Sequence, residues 1–193
     1  MRTLFATTTF RLDVAPRSAD MTIVADSSLG HRPYDLSWTG AQPVVTERDG
    51  AVSVHYSLRG RAAALGGGTL ALRLNPSVAW EIALEGGVSG LRADLRGLRV
   101  ASITVTGGAS DVLFDLPAPD GELAVRVDGG ASELVVRRPA GAEVALAVEG
   151  GVSRLQFDDE EIGSIGGRFR RKARAADHVA LSIGGGASRL TIA

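Results

Sequence analysis

Residues 82–91 read Ile82-Ala83-Leu84-Glu85-Gly86-Gly87-Val88-Ser89-Gly90-Leu91, with a diglycine phrase at their centre that recurs along the chain. The phrase Gly-Gly-(Val/Ala)-Ser occurs five times, beginning at Gly86, Gly107, Gly129, Gly150 and Gly185. The first four copies begin 21, 22 and 21 residues apart. A repeat of this length is typical of solenoids, in which each coil packs on its neighbours.

Apolar residues alternate with other residues on both sides of every copy. Two and four residues before the first glycine stand Leu84 and Ile82, Val105 and Ile103, Val127 and Val125, Val148 and Leu146, and Ile183 and Leu181. Six residues before it stand Trp80, Ala101, Leu123, Val144 and Val179. Two and four residues after the serine stand Leu91 and Ala93, Val112 and Phe114, Leu134 and Val136, Leu155 and Phe157, and Leu190 and Ile192. A period of two predicts a β-strand with one buried face, so each copy contains two strands.

The glycine pair predicts a corner between the two strands, because glycine accepts positive φ angles that other residues resist. Proline, glycine and aspartate over residues 117–121 and 139–141 predict the opposite corner. The serines of the five copies are expected to form a column: Ser89, Ser110, Ser132, Ser153 and Ser188. The predicted fold class is therefore all-β, a single-stranded β-solenoid (β-helix-like) of stacked coils with a period of about 21 residues.

One domain is predicted over residues 1–193, since this length suits a single continuous core. Within it we expect irregular strands over 1–60, regular coils over 61–157, a polar insertion over 158–178 and the last coil over 179–193. The insertion has an acidic run at 158–161 and five basic residues between 168 and 174. Such neighbouring runs favour a self-neutralising solvated loop over a docking surface for an acidic partner, phosphate or nucleic acid.

Composition excludes several classes of function. The net charge is −1, so no basic field attracts nucleic acid or anionic lipid. The absence of cysteine excludes disulfides, thiolate metal ligands and thiol catalysis. The first ten residues lack the apolar core of a signal peptide, and no stretch reaches the ~20 apolar residues of a membrane span. We therefore expect a cytoplasmic protein with no direct membrane insertion, which reaches a membrane only through a partner.

No motif predicts a catalytic residue, a cofactor or a metal ligand. The glycine phrases match neither a phosphate-binding loop nor a dinucleotide fingerprint. The three histidines, His31, His55 and His178, lack the spacing of metal ligands. Five near-identical serines also argue against one of them being a nucleophile. The predicted protein is not an enzyme.

One column of carboxylates keeps an enzymatic alternative open. Asp94, Asp115, Arg137 and Asp158 occupy the same position in four successive copies. Stacked coils would place Asp94 and Asp115 about 4.8 Å apart, close to the spacing of the acid pair in a retaining glycosidase. A glycan-acting β-helix enzyme is the alternative that this pair suggests. Because Arg137 shares the column, an exposed ladder of ion pairs is favoured.

The glycine phrases also carry a family resemblance. The segments at 85–91, 106–112 and 149–155, and the closing segment at 179–188, resemble the bacterial toastrack domain, also called the putative-adhesin family. The chain is similar in this respect to the C-terminal domain of LiaF-type envelope-stress regulators. The resemblance implies a β-solenoid that acts as an interaction or scaffolding module linked to cell-envelope sensing. It implies no catalytic residues.

The sequence thus predicts a non-enzymatic β-solenoid that binds another protein, or a second copy of itself, through a terminal strand edge. Residues 190–193 form the last predicted strand and no capping helix follows them, so their edge is the expected binding surface. A bactofilin-like, self-assembling cytoskeletal protein is the main alternative, which would form filaments.

Overall fold

The computed structural model describes residues 9–15, 20–56 and 68–193, and it shows an all-β protein. The strands are β1 (Thr9–Val14), β2 (Asp20–Ala25), β3 (Tyr34–Trp38), β4 (Val44–Arg48), β5 (Ala51–His55), β6 (Thr69–Leu74), β7 (Ala79–Glu85), β8 (Val88–Asp94), β9 (Arg99–Thr106), β10 (Ala109–Asp115), β11 (Glu122–Val127), β12 (Ala131–Arg137), β13 (Glu143–Val148), β14 (Val152–Phe157), β15 (Glu160–Ile165), β16 (Phe169–Arg171), β17 (His178–Ile183) and β18 (Leu190–Ile192). A 3₁₀ turn, Ser27–Leu29, lies between β2 and β3.

The strands form two nine-stranded sheets. The first sheet has the order β16-β13-β17-β11-β9-β7-β1-β5-β4, and the second has the order β15-β14-β18-β12-β10-β8-β2-β6-β3. Neighbours inside each sheet are parallel. The outermost strands β3, β4, β15 and β16 are antiparallel to the strands they pair with. We call the two extremities of the molecule the β3–β4 end and the β15–β16 end.

The repeated phrases lie side by side. Ser110 pairs with Ser89 on one side and with Ser132 on the other, so equivalent residues of neighbouring copies are in register. The hydroxyl of Ser188 donates to that of Ser132 at 3.0 Å. The backbone of Arg154 donates to the carbonyl of Ser188 at 3.1 Å, which brings the fourth copy next to the fifth. The predicted serine column is present in the order 89, 110, 132, 188, 153.

The order along the stack differs from the order along the chain, and this corrects a prediction. The pair β17–β18 lies between β11–β12 and β13–β14, so the last strand has neighbours on both sides and offers no free edge. β17 and β18 can lie between these pairs because the fifth glycine phrase matches the others. Gly185 donates to Gly129 at 2.9 Å, and Gly150 donates to Gly185 at 3.0 Å. In the same way β1–β2 lies between β5–β6 and β7–β8.

The core lies between the two sheets and follows the predicted columns closely. Of the 25 apolar positions that flank the five phrases, 24 are buried. Ala101 is the exception and is exposed. A bulge in β9 pairs Trp80 with Val100 and Glu81 with Ser102, so Ala101 is left out of the alternation. Trp80 and Phe114 are the largest fully buried side chains.

Close backbone approach explains several of the glycines better than the predicted positive φ. Gly86 and Gly87 have φ of 78° and 86°, as expected, but neither glycine of the third and fifth copies has a positive φ. A Cβ on Gly129 would lie 2.6 Å from the carbonyl oxygen of Gly107. The glycines of these copies are needed because neighbouring bends pack backbone against backbone.

The polar insertion is not the solvated loop that its charges suggested. Residues 160–165 and 169–171 form β15 and β16, which continue the two sheets by one strand each. Charged residues occur there because an edge strand presents unpaired backbone groups, and charge on it opposes the addition of another strand. The first residues of the segment predicted to hold the regular coils, 61–67, lie outside the described residues.

Asn75 fastens the β3–β4 end to the regular coils. Its amide nitrogen donates to the carbonyls of Gly30 and Arg32, at 2.9 Å each. Its amide oxygen accepts from the backbone and hydroxyl of Ser77 at 2.9 and 2.7 Å, and its carbonyl accepts from the Trp80 indole at 3.0 Å. It is the one buried polar residue of the described part of the chain.

Candidate interaction surface

Asp94 and Asp115, the carboxylates that suggested a glycan-acting enzyme, both form ion pairs with arginines. Asp94 and Asp115 do lie opposite each other in adjacent strands. Asp94 accepts two hydrogen bonds from the Arg96 guanidinium, at 2.8 and 2.6 Å, and one from the Arg96 backbone, at 3.3 Å, and these lower its pKa. Asp115 lies 3.7 Å from Arg137. A glycosidase needs one carboxyl protonated near neutral pH, and the arginine at Asp94 favours the ionised form instead.

The fourth member of that column is displaced. Asp158 follows β14, and the intercalated β18 separates it from Arg137. It accepts from Arg138 at 2.7 and 3.0 Å instead. The described residues contain no group of three or more His, Asp or Glu placed to hold a metal ion.

The glycine–serine bends form an open groove of about 780 Å³ along one side of the stack. Its lining consists of small residues, including Gly87, Ser110 and Ser132. No charged residue lines it. The groove therefore has the chemistry of a packed corner, where hydroxyls bond to one another, as Ser188 does to Ser132.

The β3–β4 end exposes apolar side chains. Among the described residues, four large hydrophobic side chains are exposed: Val24 38%, Trp38 40%, Val44 40% and Val45 37%. Three of the four belong to β3 and β4. Each of these strands pairs on one side only, with β6 and with β5 respectively. The end thus combines open strand edges with exposed apolar surface, the combination that favours strand addition.

Polar contacts hold this end in shape. The hydroxyl of Tyr34 in β3 donates to Glu47 in β4 at 2.5 Å, a contact that spans the two sheets. Burial and the Glu47 carboxylate raise the pKa of Tyr34, so the phenol stays protonated. Arg73 bonds to Asp35 of β3 and, at 3.0 Å, to Asp26. Both edge strands are therefore fixed to the rest of the molecule before any partner binds.

The β15–β16 end has the opposite character. Glu160 and Glu161 lie on β15, and Arg170 and Arg171 lie on β16. The pairing of β15 with β14 is interrupted by two shifts of register. Charge and irregular pairing are both features that block strand addition. The β3–β4 end has the more apolar strands and pairs without a shift of register, so it is the better suited of the two to strand addition.

The sequence predicted a different binding edge, at residues 190–193, but β18 (Leu190–Ile192) lies inside a sheet. The signal that could have identified the β3–β4 surface is the turn Asp49-Gly50, preceded by Pro43-Val44-Val45, which is typical of a hairpin whose outer strand is apolar.

In the part of the chain that the structure describes, no helix has the length and apolar character to cross a membrane.

Comparison with known proteins shows a likeness of fold. No family model matches the chain, and no curated protein matches it. The structure is similar to that of a putative cell adhesion protein from Clostridium sporogenes, with a TM-score of 0.64 and 16% sequence identity, over 97% of this chain and 94% of the other. At this identity the likeness concerns the fold alone. The chain thus has the all-β fold of a protein named for cell adhesion.

Proposed function

We propose that this chain is a non-enzymatic, adhesin-like interaction module, a single β-solenoid domain over residues 1–193 that associates with a second copy of itself through the β3–β4 end. The observation that carries the proposal is the pair of open, apolar strand edges at that end. Its likeness of fold to a protein named for cell adhesion supports an interaction role. The resemblance of its glycine phrases to the toastrack family suggests cell-envelope sensing as the setting.

The backbone of β4 is arranged for pairing with another strand. Arg48 and Ala51 flank the two-residue turn Asp49–Gly50, so they exchange backbone hydrogen bonds. Alternation along the strand then directs the N–H and C=O groups of Thr46 toward β5, and those of Val45 and Glu47 away from it. The outward groups of Val45 and Glu47 are free to bind an added strand.

A second β4 satisfies these groups. When two copies of β4 run antiparallel with Thr46 opposite Thr46, Val45 of each copy lies opposite Glu47 of the other. Each of these two pairs exchanges two N–H···O bonds. Val44 then packs along the aliphatic part of Arg48, which covers apolar surface that is exposed in the single chain.

The charged β15–β16 end determines what kind of assembly results. Head-to-tail stacking would place the apolar edge strands against Glu160, Glu161 and Arg170 and would desolvate them. Pairing of two β3–β4 ends has two-fold symmetry and closes at two copies. We therefore expect a discrete dimer, in contrast to the filament of a bactofilin-like protein.

Light scattering after size-exclusion chromatography tests the proposal with matched variants. Val45→Lys places a charge on the open edge, and Val45→Pro removes an outward N–H while keeping the ladder with β5. Val24→Lys is the control, because Val24 is equally exposed but lies on β2, inside a sheet.

We expect a dimer for the unchanged chain and for Val24→Lys, and a monomer for both Val45 variants. Thermal unfolding followed by circular dichroism checks that the variants are folded. Self-association is refuted if the unchanged chain is a monomer at concentrations well above a micromolar dissociation constant. A Val45→Lys dimer as stable as the original refutes the role of β4.

A further inference from the structure

A cavity of about 780 Å³ lies at the β15–β16 end, far from the edge strands of the proposed dimer. The loop at residues 140–142 forms one wall, and residues 171–174 beyond β16 form another. Phe157 and Val144 supply apolar lining. A volume of this size is in the range of sites for small molecules.

The two acidic residues that line the cavity are already engaged. Asp158 accepts two hydrogen bonds from Arg138, at 2.7 and 3.0 Å. Glu143 accepts from the backbone of Arg174 and, at 3.1 Å, from that of Ala175. These two backbone bonds lower the pKa of Glu143 and hold residues 174–175 against β13. The acids thus shape the wall of the cavity.

Three cations remain beside the cavity after these contacts. The guanidinium of Arg171 lies 3.9 Å from the centre of the Phe157 ring and 3.6 Å from Glu160, a loose ion pair. Lys172 and Arg174 also line the cavity. Neither of them forms an ion pair with any acid of the described residues. The cavity therefore has an excess of positive charge next to apolar lining.

We propose that this cavity binds a tetrahedral oxyanion, the phosphate or sulfate ester of a small ligand. Lys172 and Arg174 provide charge-assisted hydrogen bonds to its oxygens. Arg171 keeps its place by stacking on Phe157 and presents its remaining N–H groups. The apolar lining accommodates the uncharged part of the ligand. This site lies outside the proposed function and does not depend on it.

Titration with inorganic phosphate, inorganic sulfate and acetate tests the proposal, with chloride used to keep the ionic strength constant. Amide chemical shifts in ¹H–¹⁵N NMR spectra report both affinity and position. We expect saturable shifts with phosphate or sulfate at residues 138–144, 157–158 and 171–174. The stronger of the two anions identifies which ester the site prefers.

The double variant Lys172→Gln/Arg174→Gln is expected to weaken binding about tenfold, because it removes two charge-assisted contacts. Arg154→Gln is the matched control, since Arg154 is exposed on β14, does not line the cavity and forms no described ion pair. It should bind as the unchanged chain does. All three side chains are exposed, so these variants should fold, and melting in chloride alone verifies this.

Three results would overturn the proposal. One is the absence of saturable shifts with either tetrahedral anion. Another is equal affinity in the double variant and the unchanged chain. The third is a set of shifts spread over arginines across the surface, which is the behaviour of unspecific screening.

Discussion

The substitution Gly129→Ala tests whether neighbouring glycine bends pack as closely as the structure has them. An added Cβ would lie 2.6 Å from the Gly107 carbonyl oxygen, 2.7 Å from its carbonyl carbon and 2.9 Å from the Gly108 nitrogen. All three atoms belong to backbone and cannot rotate away. The strands must therefore separate, which also weakens the hydrogen bond of 2.7 Å from Gly129 to Gly107.

The expected loss of stability combines these two effects with an opposing effect on the unfolded chain. Overpacking in a rigid site costs about 1–3 kcal/mol, and a weakened backbone hydrogen bond costs about 1 kcal/mol. Alanine also lowers the conformational entropy of the unfolded chain, which stabilises the fold by about 0.4–1 kcal/mol. We expect the free energy of unfolding to fall by about 2–3 kcal/mol, with a melting temperature lower by roughly 4–12 °C in a chain of this size.

Urea unfolding followed by circular dichroism measures this loss, and Gly166→Ala serves as the control. A Cβ on Gly166 meets nothing within 4 Å, and its φ is not positive. That variant should match the unchanged chain or exceed it slightly. If Gly129→Ala proves as stable as Gly166→Ala, the bends do not pack on one another as described.

Two further predictions concern stability. Asn75→Ala should lower the free energy of unfolding by about 2–4 kcal/mol in urea titrations, because the buried amide of Asn75 forms four hydrogen bonds that alanine cannot form; a change below about 0.5 kcal/mol would contradict the role of Asn75. Hydrogen bonds from Arg73 and Arg96 hold the pKa values of Asp35 and Asp94 below their ordinary range. Groups with a lowered folded-state pKa stabilise the fold above their unfolded-state pKa, so stability should be constant near neutral pH and fall as the pH drops below about 4. Asp35→Asn should make that fall shallower, and an unchanged pH profile would count against the ion pair with Arg73.

Much of the core could be predicted from the sequence, because burial in a strand follows an alternation that is visible in every copy. Leu84, Leu91 and their counterparts are buried as predicted. The prediction that Ala101 is buried was wrong for a local reason. An extra residue in β9 changes the alternation there, and small side chains do not indicate where a bulge will form.

The order of the stack could not be predicted, and the reason lies in the repeat itself. Copies that share one phrase pack equally well in any order, so similarity between Gly129, Gly150 and Gly185 says that they stack but not which is between the others. The order of the copies depends on the strands that end the two sheets. Strands β15 and β16 close one end past β14, and the chain then returns to add β17 and β18 inside the sheets.

The candidate surface was missed because an exposed edge strand and a buried strand have similar sequences. Val44 and Val45 favour a β-strand in either place. Only the tertiary arrangement shows that β4 pairs on one side. At the other end the charged runs suggested a loop, although Glu160, Glu161, Arg170 and Arg171 lie on the strands β15 and β16 that end the two sheets.

The last copy of the glycine phrase lies between the third and fourth copies, and engineered disulfides test this placement. The chain has no cysteine, so each pair can be introduced without interference. The hydroxyl oxygens of Ser188 and Ser132 are 3.0 Å apart, and adjacent strands meet the geometry of a disulfide. Ser132 and Ser153 are two strand spacings apart, about 9.6 Å, which is too far. Non-reducing electrophoresis or mass spectrometry after mild oxidation should find the cross-link in Ser132→Cys/Ser188→Cys and not in Ser132→Cys/Ser153→Cys. The reverse result would mean that the copies stack in chain order, and β17–β18 would then not lie between β11–β12 and β13–β14.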